Sequence, residues 1–347
     1  MIPYAHTATR PDGTPDPDKS RWQPLYTGDA TQPGHLEEVA RLAAQFAGAF
    51  DAADWARLAG LWHDLGKFSD AFQHYLNAAT DPDADGESPS RGPDHSTAGA
   101  QHAVLNLPKL GPLLGYLIAG HHSGLPNGRD ATPSCLEARL AKSIEPFAAA
   151  PSTLLATPAK AHPPNHAFAS GYALGFFLHM SFSALVDADW RDTEQFMTPG
   201  RAALRSGKKP SLEDLRTCLN RYLSRFGEPS SPVQRARAAV LAACRARASD
   251  APGLFSLTVP TGGGKTLSSL AFALEHALAH DLERIVYVLP FTSIIEQNAA
   301  VFREVFASLG DDVVVEHHSN LDPDSTHLTP TARLATEDWD APIIVTT

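Results

Sequence analysis

The sequence has little cysteine, no long apolar run and no excess of basic charge. Only three cysteines occur, Cys135, Cys218 and Cys244, far apart and outside any paired motif. That excludes a disulfide framework and a thiolate zinc site, and it favours a reducing, cytoplasmic setting. The N-terminus, Met1-Ile2-Pro3-Tyr4-Ala5-His6, lacks the basic and apolar regions of a signal peptide. The longest apolar stretch, Gly171 to Val186, is interrupted by His179 and is too short to span a bilayer. It reads as a buried core helix, and no membrane partner is expected. The net charge is −11, from 28 basic and 39 acidic side chains. This excludes a generic basic coat for nucleic acid. It does not exclude nucleic acid itself, because local patches and bound metals decide that.

What is present suits a two-domain globular protein: 347 residues, 43% of them apolar. Residues 1–34 read as an irregular lead-in, rich in Pro, Asp, Gly and Thr from residue 7. A helical pattern starts at His35, with Leu36, Val39, Ala40, Ala43, Ala47 and Phe50 at helix spacing. A second helix is expected from Ala53 to Leu65, stopped by Gly66. Residues 80–93 read as a loop. Further helices are expected at Ser96–Leu105, Leu113–His122 and Phe168–Asp189, with no strand before about residue 250. Residues 35–200 therefore predict an all-α domain, and 201–232 a linker with one helix, Leu212–Phe226. From residue 233 the pattern changes. Strands are expected at Ser256–Pro260, Arg284–Pro290, Val313–Val315 and Ile343–Val345. Helices are expected at Leu267–His280 and Ile294–Leu309. Strand–helix alternation predicts a parallel α/β domain over 233–347.

Two constellations carry chemistry. The first is a set of histidines around one His-Asp pair, His63-Asp64, in Trp62-His63-Asp64-Leu65-Gly66-Lys67. His35, His95, the doublet His121-His122 and a carboxylate at Asp187 or Asp189 join it. Imidazole and carboxylate are ligands for divalent metals. So many groups exceed the need of one ion and suggest two ions side by side, a phosphodiester-cleaving arrangement. Asp64 could bridge both ions while His63 binds one. Lys67, three positions on, could offset charge on a scissile phosphate. The blander readings are a helix start at His95 and a solvated charge at Lys67. His74, His102, His162 and His166 read as packed or surface residues.

The second constellation is Pro260-Thr261-Gly262-Gly263-Gly264-Lys265-Thr266. An expected strand before it and helix after it are the context of a phosphate-binding loop. Lys265 would reach the β- and γ-phosphates and Thr266 would hold Mg²⁺. Val259 stands where the general pattern has its first Gly. Thr292 and Ser293 precede a helix, where hydroxyls suit either nucleic-acid phosphate contacts or plain capping.

The order His, His-Asp, His, His-His, Asp resembles the HD superfamily of metal-dependent phosphohydrolases. Joined to Pro-Thr-Gly-Gly-Gly-Lys-Thr, it resembles the CRISPR-associated nuclease-helicases of type I systems. The stretches His63–Leu76, Phe182–Glu194, Gly253–Ala279 and Glu316–Asn320 look closest to the type I-C branch. The resemblance implies an all-α HD-type nuclease domain followed by a RecA-like helicase domain. It implies metal ligands at His35, His63, Asp64, His95, His121, His122 and Asp189, with His63, Asp64 and Lys67 catalytic. Asp189 is preferred over Asp187 for its sequence context. It also implies ATP contacts at Thr261, Gly262, Gly263, Gly264, Lys265 and Thr266, and DNA contacts at Thr292 and Ser293. Gln234 is a weak match to an adenine-reading glutamine. Two divalent transition ions (Mn, Co, Ni or Fe, with Mg possible) and ATP with Mg would be the cofactors. The implied partners are single-stranded DNA and an RNA-guided Cascade complex. The family's Asp-Glu-x-His motif, second RecA-like domain and arginine finger lie beyond Thr347. The expectation is therefore an incomplete RecA-like domain in a fragment that does not hydrolyse ATP. Two other readings compete: an HD phosphohydrolase acting on nucleotides, and a non-enzymatic docking module with structural histidines.

Overall fold

A computed structural model describes residues 2–80, 92–157, 161–205, 207, 209–319 and 329–347. The loop expected at 80–93 falls mostly outside them, as does Asn320. The chain divides into two compact units, Met1–Ala202 and Ala203–Thr347.

The first unit opens with a strand pair, β1 (Tyr4–His6) and β2 (Gln23–Pro24), antiparallel. This corrects the expectation of no strand before residue 250. The strands are too short to show alternation, and their stability comes from elsewhere in the chain. Gln73 accepts from the Tyr4 N–H at 3.0 Å and donates to the Tyr4 carbonyl at 2.9 Å.

Helices α1 (His35–Ala47) and α2 (Ala53–Trp62) form the centre of the unit. The apolar face of α1, Leu36, Val39, Ala40, Ala43 and Ala47, is buried. The two helices touch at backbone distance. A Cβ on Gly60 would lie 2.6 Å from the Ala40 Cα, so only glycine fits there. Glu37, in the first turn of α1, accepts from the N–H groups of Thr27, Gly28 and Gly34 and ties the lead-in to the helix. Then follow α3 (Asp70–Ala78), α4 (Ser96–Asn106), α5 (Gly111–Gly120), α6 (Leu136–Leu140), α7 (Ser152–Leu155) and α8 (Gly171–Met197). Trp55 and Trp62 are fully buried, and Trp62 Nε1 donates to the Leu154 carbonyl at 2.9 Å.

One expectation about α2 fails. The helix ends at Trp62 rather than at Leu65. His63 and Asp64 lie in a turn, ahead of a 3₁₀ segment at Leu65–Phe68. The Gly66 N–H donates to the His95 carbonyl at 3.1 Å instead of continuing the α-helical ladder.

The second unit begins within α9 (Pro199–Arg205). It contains α10 (Leu212–Ser224), α11 (Pro232–Ala246), α12 (Lys265–Ala279), β3 (Ile285–Val288), α13 (Thr292–Phe306), β4 (Val314–His317), α14 (Pro330–Asp338) and β5 (Ile343–Thr346). Its sheet is parallel in the order β3-β5-β4, with β5 buried at the centre. The strand expected at Ser256–Pro260 does not form. Among the described residues no strand pairs with that segment, and Leu254 and Leu257 are exposed, so it lacks both partner and core. Among the described residues no helix is long and apolar enough to cross a membrane.

Candidate metal centre

Four pieces of the first unit deliver imidazoles to one carboxylate. His35 opens α1, His63 and Asp64 follow α2, His95 precedes α4, and His121-His122 follow α5. Asp189 projects from α8 and joins them. Asp64 divides its two oxygens. Its Oδ2 lies 3.6 Å from His35 Nε2 and 3.4 Å from His63 Nε2. Its Oδ1 lies 3.3 Å from His121 Nε2 and 3.6 Å from His95 Nε2. Asp189 Oδ1 adds to the first group, 3.3 Å from His35 Nε2 and 3.7 Å from His63 Nε2. His122 adds to the second, its Nε2 2.8 Å from that of His95.

These residues fit divalent ions. Nε2 of His35, His63 and His121 and Oδ1 of Asp64 are buried with no hydrogen-bond partner. A native interior does not leave such groups unsatisfied without a reason. Most of the gaps between them exceed a good hydrogen bond. Tetrahedral ligands about 2.0–2.1 Å from one ion stand about 3.3 Å apart, which is the spacing here. The opposite nitrogens of four of the five rings are engaged: His63 Nδ1 with the Gly60 carbonyl at 2.7 Å, His121 Nδ1 with the Ile118 carbonyl at 2.7 Å, His95 Nδ1 with the Pro93 carbonyl at 3.0 Å and His35 Nδ1 with Asp192 at 2.6 Å. Assigning the proton to Nδ1 in these four rings leaves an Nε2 lone pair for a metal.

The charges interlock. Burial pushes the His35 imidazole down, but Asp189, Asp192 and Asp64 outweigh it and raise its pKa to about 10. His63 is likewise pushed down by burial and lifted by Asp64 and Asp189, to about 9. Burial opposes ionisation of Asp64, yet Lys67, His63 and His95 hold it well below the usual carboxylate range. The Lys67 ammonium sits 2.7 Å from Asp64 Oδ2, itself buried. For His122, burial and the neighbouring His121 outweigh the pull of Asp64 and lower it to about 4.

The two groups differ in access. A cavity of about 880 Å³ is lined by His95, His122, Lys67 and His6, with Phe72 and Tyr75 on its wall. His35 and His63 do not line it and are fully buried.

The glycine of the His-Asp motif has a definite task. A Cβ on Gly66 would lie 2.5 Å from both the Cα and the carbonyl oxygen of His95. Gly66 therefore admits the backbone that carries His95, rather than merely stopping a helix. Asp187 turns instead to Arg191, at 3.0 Å. His102 packs its ring against Trp62, 4.6 Å between centroids.

Sequence reasoning missed two residues here. Asp192 orients His35 and is itself held by Gln23 Nε2 at 2.7 Å. It follows Asp189 by three positions, one helical turn on the same face, so its position was a usable signal. His6, in β1, is half-buried with its ring 5.0 Å from that of His35. Nothing in the lead-in marked it.

In the second unit, Gly262 and Gly264 of the Gly-rich loop have φ of 80° and 86°, the left-handed region that favours glycine. Lys265 and Thr266 begin α12. Thr292 and Ser293 begin α13, whose cap position is Phe291, with no side-chain cap bond. Gln234 is occupied: its Oε1 accepts from the N–H groups of Ser230 and Ser231 at the start of α11.

The family model for the HD domain matches residues 34–150. The matched stretch holds every histidine of the cluster, while Asp189 and Asp192 come from α8 beyond it. No curated protein matches the sequence. Among solved structures, Cas3 of T. fusca with ATP is 16% identical, at a TM-score of 0.54 over 93% of this chain and 43% of that one. T. fusca Cas3 alone is also 16% identical, at a TM-score of 0.53 over 99% and 44%. Its AMPPNP form is 18% identical, at 0.50 over 100% and 43%. The likeness is one of fold, and the chain spans less than half the length of those structures.

Proposed function

We propose that the HD domain is a metal-dependent nuclease acting on single-stranded DNA in CRISPR interference. The observation that carries this is Asp64 dividing its oxygens between two groups of imidazoles, one of which faces a cavity. One seat comprises His35, His63, Asp64 and Asp189; the other comprises Asp64, His95, His121 and His122. Two divalent ions, when bound, would activate water at neutral pH and neutralise charge on a phosphate. The chain's own part is to fix the imidazole tautomers through Nδ1, to bridge with Asp64 and to place Lys67 beside the cavity. Lys67 would offset the charge of a phosphate arriving there. Mn, Co, Ni or Fe suit imidazole-rich seats, with Mg possible.

The second unit supports a wider reading. A parallel sheet and a glycine loop opening a helix fit a RecA-like fold that would hold ATP with Mg through Thr261–Thr266, and Thr292 and Ser293, at the start of α13, would contact the strand. The fold likeness to T. fusca Cas3 extends over both units. On this reading the DNA is the displaced strand of an R-loop opened by Cascade in the cytoplasm. Nicking of circular single-stranded DNA in Mn²⁺ tests the proposal. Full activity in Asp64→Ala overturns it. The cavity volume of about 880 Å³ also admits a mononucleotide. Release of nucleoside from nucleotides without DNA cleavage would favour that second reading.

A further inference from the structure

We propose that Arg139 is the positioning residue of the cavity-facing metal seat; this rests on the two-seat reading above. That seat is assembled across a gap between two helix ends. His95 stands before the first residue of α4, and His121-His122 stand after the last residue of α5. The two helices pack on each other near these ends, Ile118 of α5 lying against Gly99 of α4, and a polar tie is added to that apolar contact. Arg139, on α6, spans them with one guanidinium. Its Nη1 donates to the carbonyl of Ala119, in the last turn of α5. Its Nη2 donates to Ser96 Oγ at 2.6 Å and its Nε to Thr97 Oγ1 at 3.3 Å, both in the first turn of α4. Nη2 also lies 3.5 Å from Asp94 Oδ1. Asp94 in turn accepts from the Thr97 N–H at 3.1 Å.

The chemistry suits the place. The last carbonyls of α5 lack helical partners and attract a cation, and a planar fork with five N–H donors can serve two elements at once. The Arg139 side chain is only 12% exposed, so few of these bonds compete with water. Its own backbone is anchored as well. Gln101 of α4 donates to the carbonyls of Leu140 at 3.2 Å and Lys142 at 2.8 Å, which keeps α6 against α4. Besides helix packing and the Gly66–His95 bond, the pair His95 Nε2 and His122 Nε2, 2.8 Å apart, is thus supported by a residue that the proposal places outside both rings. The other seat has no such dependence, because His35, His63 and Asp189 come from α1, the turn after α2, and α8.

The test is Mn²⁺ binding to the metal-stripped full chain, followed by electron paramagnetic resonance of the free ion. Asp189→Asn marks the binding step of the inner seat, and His122→Ala marks that of the outer seat. Arg139→Ala is expected to weaken the step that His122→Ala weakens, by about 10–100-fold, the usual effect of disturbing outer-shell support. It is expected to leave the Asp189-dependent step unchanged. Arg139→Lys keeps the charge but cannot reach both helix ends, and it should show the same selectivity to a smaller degree; it serves alone if Arg139→Ala does not fold. Equal weakening of both steps, or of neither, overturns the proposal. A wild-type chain with a single binding step overturns the two-seat reading instead, and the proposal with it.

Discussion

Replacing Gly66 by alanine adds one methyl group at the point where the His-Asp motif meets the backbone of His95. The added Cβ would lie 2.5 Å from the His95 Cα and 2.5 Å from its carbonyl oxygen. Comfortable contact needs about 3.5–4.0 Å, so the two segments must part by about 1 Å. Overpacking of this kind costs about 1–3 kcal/mol. The 3.1 Å bond from the Gly66 N–H to the His95 carbonyl is stretched in the same motion, at about another 1 kcal/mol. His95 is the imidazole displaced. His121 and His122 are carried by α5 and stay. The metal-stripped variant should therefore lose about 2–4 kcal/mol in urea unfolding, and Mn²⁺-dependent cleavage of single-stranded DNA should fall sharply. Excess Mn²⁺ should restore part of it. Unfolding within 0.5 kcal/mol of wild type (an order-of-magnitude threshold for a neutral substitution) would refute the steric reasoning. A stability loss with undiminished cleavage would refute the link to His95.

Other consequences concern charge, orientation and core. His122, lowered to about 4, makes metal-free stability rise with pH up to the unfolded value near 6.5; His35 and His63, raised to about 10 and 9, make it fall from there through pH 9–10. The metal-stripped chain should thus be most stable near pH 6.5 in a pH series of thermal melts, and a maximum above pH 9 would contradict this. Asp192→Asn removes the carboxylate that orients His35 while keeping its size; activity should fall by about 10–100-fold with little change in far-UV circular dichroism, and an unchanged rate would remove Asp192 from the centre. Trp62→Ala opens a fully buried site and strands the Leu154 carbonyl; a loss of about 3–5 kcal/mol is expected by denaturant titration, and under 1 kcal/mol would show that the core collapses around it.

The sequence made some of this architecture readable and hid the rest for physical reasons. The gathering of the imidazoles around Asp64 could be read because imidazoles beside a His-Asp pair are unusual, and helix α1 could be read because Leu36, Val39 and Ala43 repeat at helix spacing. The turn holding His63 and Asp64 was hidden, since the bond that ends α2 comes from His95, far along the chain. Asp192 was within reach by helical arithmetic from Asp189. His6 and Arg139 were not, because each acts through contacts that only the folded chain creates. Ser256–Pro260 has strand composition, but composition cannot supply a neighbouring strand.

The unequal access of the two seats has a consequence for order in time. His35 and His63 are fully buried and do not line the cavity, while His95 and His122 do. On the two-seat proposal, a bulky chelator would meet the outer seat first. Metal removal followed in time should then run in two phases, with the phase that His122→Ala alters as the faster one.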